Sequence, residues 1–378
     1  MIAEGEGAPE AVTDGAPLER LQAILGTDLG EAPDALTLGA SREGRPLHGF
    51  RLGNGTRRVS LLGGCHADEP VGPLFLRRLV AYLGRRPPDD PLVSRWEWWI
   101  VPHANPDGEA RNAPWQDPPP DPRSGDGFDW PAYLAWGHRE PPGEDLEFGF
   151  PQDREDEGAR PEARAIRQWW EGADSPIALH VSLHGMAVAG GPWLLLEPAW
   201  WERSAPLRRR FLDRVKAMGY RPHDVERQGE KGFVRLGPGF ATRPDSQRMR
   251  DHFLARGDPE TAARFRPSSM ETVRSLGHDA LTLVTEMPLF LARNVGRVLG
   301  RPDPVQRGWR LRMDRWRAEL DAGRDPVQIR EEARRDGVRP MPIGDQMALQ
   351  WAAVWEGLRQ VEEVPCLQPA SSSSNSRR

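Results

Sequence analysis

Four runs of β-branched, leucine and aromatic residues in this chain lead straight into side chains that can bind a metal or carry a proton. VSLL (59–62) runs into GGCHADEP (63–70), and WEWWIV (96–101) into PHANPDG (102–108). IALHVSL (177–183) is followed by His184 and Gly185, and ALTLVT (280–285) by Glu286. Short, almost wholly apolar runs of this kind read as strands buried on both sides. Between them lie stretches with helical spacing, VGPLFLRRLVAYLG (71–84) and PEARAIRQWWEG (161–172). Strand and helix signals alternate from about residue 36. The expected fold is therefore α/β: a mixed, mostly parallel central sheet with helices on both faces. Ligands of such sheets bind where strands end, so His66, Glu69, His184 and Glu286 are expected to meet there.

Two imidazoles and two carboxylates suit a catalytic zinc, which takes three nitrogen or oxygen ligands and leaves a position for water, with a spare carboxylate as base. His66 and Glu69 stand three apart, close enough for both to turn to one point at the start of a helix. Cys65 neighbours His66 and points to the opposite face in extended backbone, so it reads as a small core residue. His180 and His184 share a strand face but stand roughly 13 Å apart at ~3.3 Å per residue. One ion cannot bind both; His184 is the better ligand, and His180 belongs to the core.

Composition narrows the partners. The net charge of −5 carries no basic field for nucleic acid. No stretch approaches the ~18 apolar residues of a membrane span. The start, MIAEGEGAPEAVTDGAP, has neither the basic nor the apolar region of a secretory signal, and two cysteines cannot build a disulfide framework. A cytoplasmic protein is expected, of open oligomeric state.

Residues 1–35 form an N-terminal segment, disordered over 1–16, with helical spacing at Leu18, Leu21, Ile24 and Leu25. A catalytic domain is expected over 36–292, a charged helical extension over 293–366 and a disordered tail over 367–378. In the extension, Met347, Trp351, Val354, Trp355 and Leu358 form one apolar helix face, with Asp345 as its expected N-cap. Residues 113–146 hold eight prolines with Trp115, Phe128, Trp130, Tyr133 and Trp136. So many aromatics indicate an ordered segment packed on the body, a lid or a cleft wall.

Taken together, LGASREGRPLHGFRLG (38–53), G-x-x-H-x-x-E at His66 and Glu69, NPDG (105–108), PEARAI (161–166), LHG at His184 and T-E-x-P at Glu286 resemble the metallocarboxypeptidases, the carboxypeptidase A-like zinc peptidases. The resemblance runs from about residue 36 to 292. It implies one zinc per chain held by His66, Glu69 and His184, with Glu286 as general base and proton shuttle. It implies further that Arg111, in NPDGEARN, stabilises the oxyanion. Asp145, in DLEFGFP, would accept the other ring N–H of His66 and fix its tautomer.

One segment departs from the family. Where its members read D-(apolar)-N-R-N-(aromatic)-P, the Asn-Arg pair gripping a terminal carboxylate, this chain has Glu147 and Phe148. The family's substrate-capping tyrosine also lacks a counterpart near Glu286. The resemblance thus implies a zinc-dependent hydrolase of peptide or acyl-amide bonds with non-standard end-group specificity, Glu147 and Phe148 facing the substrate's end. Two alternatives stand beside it: an N-acyl amino acid deacylase of the aspartoacylase-like branch, and a catalytically silent ligand-binding relative.

Overall fold

The apolar runs become strands, and their alternation sorts the residues between two faces of one sheet. The structure, a computed structural model, describes residues 16–173, 175–227, 229–276, 279–296 and 304–364. The disorder expected over 1–16 and 367–378 lies outside these residues, except for Ala16, where a helix (Ala16–Leu25) begins. Among the described residues the ten strands are β1 (Leu36–Ala40), β2 (Pro46–Leu52), β3 (Arg57–Gly63), β4 (Trp96–Val101), β5 (Ile177–Ala189), β6 (Trp193–Leu196), β7 (Arg235–Gly237), β8 (Phe240–Thr242), β9 (Leu281–Ala292) and β10 (Val338–Pro340).

They join in the order β1-β2-β4-β3-β5-β9-β6-β8-β7, with β10 on β9. The central four, β4, β3, β5 and β9, are mutually parallel and carry the longest ladders. Antiparallel pairs flank them at β1–β2, β2–β4 and β6–β9. The fold is α/β, as expected.

One sheet face carries Val59, Leu61, Leu179, Val181, Leu183, Leu281 and Leu283 in a single apolar cluster. The helices Val71–Gly84 and Ile343–Glu363 cover it with Phe75, Leu79, Trp351, Val354 and Leu358. On the other face, Leu62, Trp99, Val101 and Ile177 pack on Ile166 and Trp170 of the helix Pro161–Glu171. Burying one such aliphatic side chain is worth ~1.5–3 kcal/mol, so these two layers dominate the folding energy.

The helix Ile343–Glu363 differs from its reading in two ways. It starts three residues earlier than expected, with Pro342 at the cap in place of Asp345, so Asp345 lies in the first turn and accepts a hydrogen bond from Tyr220 Oη. It is also buried on more than one face, since Leu349 and Ala353 pack with Phe211 and Met287. Helical spacing reveals one stripe; a helix wedged between the sheet and the neighbouring helix Ala205–Ala217 needs two.

β5 and β9 continue well past the expected ends, to Ala189 and Ala292. His184 and Glu286 are therefore mid-strand register partners. An edge still exists at their level, because β3 ends at Gly63, opposite Leu183.

Candidate metal centre

Period-two alternation along β5 puts His180, Ser182 and His184 on one face, opposite Leu179, Val181 and Leu183. His180 is fully buried, its ring nitrogens 3.1 Å from Ser60 Oγ and 3.1 Å from Ser269 Oγ. Burial pushes its pKa down to about 3, so it stays neutral in the core. His184, four residues on and just beyond the end of β3, is left to face the other ligands.

Those candidate ligands come from the turn between β3 and the helix Val71–Gly84. Gly64 opens it at φ +72, and a Cβ there would sit 2.5 Å from the His103 ring, so only glycine fits. The turn brings His66 Nδ1 to 3.0 Å from Glu69 Oε1 and 3.1 Å from His184 Nδ1. His184 Nδ1 also lies 3.0 Å from Glu69 Oε2, an oxygen that accepts from the Gly185 N–H at 3.1 Å. Three donors at ~2.0–2.2 Å from one zinc would stand roughly 3.4 Å apart. Two imidazole nitrogens and a carboxylate, aimed at one another, fit that ion. They form one of two groups among the described residues able to hold a metal.

The second group is Cys65, Glu147 and His184, and it shares the same ring. His184 Nε2 lies 2.8 Å from Ser182 Oγ and 2.9 Å from Glu147 Oε2. With Nδ1 turned to the candidate ligands, Nε2 is the nitrogen left for the proton; its hydrogen-bond partner is Ser182 Oγ, and Glu147 stands beside it as an ion-pair partner. Cys65 is buried as expected, and its sulfur lies beside this outer edge of the ring.

Glu286 faces the cluster from β9. Its ladder partners are His184 on one side and Trp193 on the other. Trp193 and Val284 belong to an apolar wall with Met186 and Phe233. Burial against this wall, reinforced by the charge of Glu69, raises the Glu286 pKa to about 8. His184, Arg139 and Arg227 pull the other way.

Arg139, which sequence reasoning passed over, is the arginine at the site. Its Nη1 donates to Glu69 Oε1 at 2.9 Å and to Asp68 Oδ1 at 3.2 Å, while 43% of the side chain stays accessible. Glu140 beside it anchors the segment by accepting from Asn105 Nδ2. The only sequence signal was a charged Arg139–Glu140 pair inside a proline- and aromatic-rich segment. Arg111 lies elsewhere: on the helix Pro106–Gln116, 46% exposed and paired with Glu43. Helical geometry decides this, for Asp107 of the same helix is tied to Ser41 and Arg45 in the β1–β2 turn.

The remaining expectations are also rearranged. Asp145 Oδ1 accepts from the Phe148 N–H at 3.2 Å, capping its own turn; among the described residues it makes no hydrogen bond to His66. Glu147 turns inward to His184 and to the buried Arg243. Phe148 joins Met249 and Phe265 in a small cluster, with the Arg243 guanidinium 5.4 Å from its ring. Neither is an open end-group contact. In the 113–146 segment Trp115, Phe128, Trp130 and Tyr133 are buried and Trp136 is exposed. Tyr133 reaches the edge of the cluster through its bond to Asp68. Among the described residues no helix is long and apolar enough to cross a membrane.

Residues 30–193 match the model of the zinc carboxypeptidases, a span that contains His66, Glu69 and His184 but not Glu286. No curated protein matches the chain. Among solved structures, it is similar to a metallo-carboxypeptidase from Burkholderia cenocepacia, at 17% identity over 92% of this chain and 68% of that one, with a TM-score of 0.42. It is also similar to carboxypeptidase A from Helicoverpa armigera, at 13% identity over 93% and 74%, with a TM-score of 0.44. Over residues 30–193, then, the chain is similar to the zinc carboxypeptidase family.

Proposed function

We propose that this protein is a zinc-dependent hydrolase of peptide or amide bonds, with one zinc per chain held by His66, Glu69 and His184. The observation that carries the reading is the approach of His66 Nδ1, Glu69 and His184 Nδ1 to within 3.1 Å of one another, beside Glu286. When bound, the metal supplies Lewis acidity and a water of lowered pKa. Glu286 would take a proton from the attacking water and pass it to the leaving nitrogen. Burial holds the Glu286 pKa at about 8, and a cation at the candidate centre would lower it, which is the direction a base needs near neutrality. Arg139 takes the oxyanion role first expected of Arg111: its accessible donors stand next to the cluster, where negative charge develops on the carbonyl oxygen. Ser182 takes the Nε2–H of His184, and the Glu147 carboxylate 2.9 Å from Nε2 favours a proton there, so together they fix the ligating tautomer.

End-group specificity follows from what is left. Glu147 and Phe148 are committed to His184 and to an apolar cluster. Arg243 is buried and its charge is offset by Glu147, yet among the described residues its Nη1 has no hydrogen-bond partner. A free carboxylate therefore gains less here than from an uncompensated arginine fork.

The test is a screen of zinc-loaded protein on matched N-acyl dipeptides ending in a carboxylate, an amide or a basic group, alongside simple N-acyl amino acids. Hydrolysis of dipeptides with less than about tenfold preference for the free carboxylate is expected. A strong carboxylate preference would sink the specificity, cleavage of simple N-acyl amino acids alone would favour deacylation, and no turnover would favour a silent relative.

A further inference from the structure

One nitrogen of Arg139 serves two carboxylates, Glu69 at 2.9 Å and Asp68 at 3.2 Å. These two are not equivalent. Glu69 belongs to the metal ligands, and its lone pairs go to the cation whenever one is bound. Asp68 has no such commitment. It is buried, and its second oxygen accepts a hydrogen bond from Tyr133 Oη at 3.3 Å. Tyr133 is itself locked: its ring meets Trp115 edge-on at 5.1 Å and packs on Phe290 at 5.7 Å. The carboxylate of Asp68 therefore has one orientation, set from behind by the aromatic segment.

We propose that Asp68, oriented by Tyr133, is the positioning residue of Arg139 and aims its guanidinium at the reacting carbonyl oxygen. The proposal rests on the hydrolase reading above. It gives the proline- and aromatic-rich segment a role in the reaction, since Trp115 and Tyr133 set Asp68, and Asp68 sets Arg139. Asp68→Asn keeps the shape of the buried side chain and leaves the remaining charge on Arg139, 43% of which is accessible, so the loss shows in reaction geometry more than in folding. Errors of about 1 Å in the placement of a reacting group cost on the order of 10²-fold in rate.

The experiment compares Asp68→Asn, Tyr133→Phe, Arg139→Ala and the double variant D68N/R139A, all zinc-loaded. Asp68→Asn is expected to keep native zinc content and Tm, to lower kcat about 10- to 100-fold and to leave KM within about threefold. The double variant is expected to be no slower than Arg139→Ala alone, because Asp68 acts only through that arginine. Independently of turnover, the Arg139 Nε–H resonance is expected to be sharp in the zinc-loaded native protein and averaged in Asp68→Asn. Losses that multiply in the double variant, or an Arg139 resonance unchanged by Asp68→Asn, overturn the proposal. Should Asp68→Asn fail to fold, Tyr133→Phe, which removes one hydroxyl, decides by the same resonance. If the native chain turns over none of the dipeptides, the hydrolase reading falls, and the resonance still decides whether Asp68 orders Arg139.

Discussion

The corner where β3 ends beside β5 and the segment 137–150 supply opposite sides of one site, yet their residues behave differently. His66, Glu69 and His184 meet through three contacts of 3.0–3.1 Å. In the segment, Arg139 holds Asp68 and Glu69, Glu147 turns back onto His184, and Phe148 is buried with Met249 and Phe265. The corner hangs on strands whose register is fixed by the buried sheet. The segment has no ladder to hold it, and its side chains go where charge partners are. The geometry of the candidate metal centre is thus set by backbone, and the placement of the segment's side chains by ion pairing.

The largest break in this contrast is removal of a ligand. His184→Ala and His66→Ala should each purify with near-zero zinc, measured by elemental analysis; full occupancy in both would undo the site. Glu286→Gln should keep zinc and lose ~10²–10⁴-fold in kcat, the usual worth of a general base. A loss below about tenfold would remove Glu286 from that role.

Exchanging the two arginines sharpens the comparison further. Arg139→Ala should cost ~10²–10³-fold in kcat, the range for losing one oxyanion donor. Arg111→Ala, an exposed ion-pair residue, should change kcat by less than about threefold. The reverse ranking would return the role to Arg111. Glu147→Gln should weaken zinc binding ~10–100-fold, the usual cost of losing a carboxylate behind a ligating histidine. Phe148→Leu should leave zinc affinity alone and lower Tm slightly. Equal zinc affinity in Glu147→Gln and native protein would show that Glu147 faces substrate after all.

The smallest effect concerns imidazoles outside the site. Burial lowers His103 and His223 to about 4 and His180 to about 3, from an ordinary value of 6.5. In each case the unfolded chain takes up a proton at higher pH than the folded one. Stability is therefore full above about pH 6.5, falls as pH drops toward about 4, and levels off below the folded values. Urea titrations of metal-free protein from about pH 7 to about 4 should show this decline, and His180→Gln should flatten part of it. A flat profile in the native chain would mean that these rings are not buried neutral.

Local chemistry was readable wherever neighbours in sequence are neighbours in space. WEWWIV is β4 to the residue, VGPLFLRRLVAYLG is the helix Val71–Gly84, and the spacing of His66 and Glu69 survives as a 3.0 Å contact. Strand ends were misplaced at His184 and Glu286, because a strand continues as long as a partner offers hydrogen bonds, and β9 pairs with β5 through Ala189. The order of the motifs pointed to the donor set; it said nothing about which arginine would join it.

The sequence alone determined the period of each element, the side-chain types at each strand and the alternation that separates His180 and His184 from the apolar face. Those properties depend on a few residues' covalent geometry and on burial of nearby apolar surface. The tertiary structure decided that Arg139 rather than Arg111 stands by Glu69, that Glu147 serves His184, and that Tyr133 holds Asp68. Long polar side chains can reach several partners, and which one they meet depends on packing between segments more than sixty residues apart. No spacing along the chain encodes that choice.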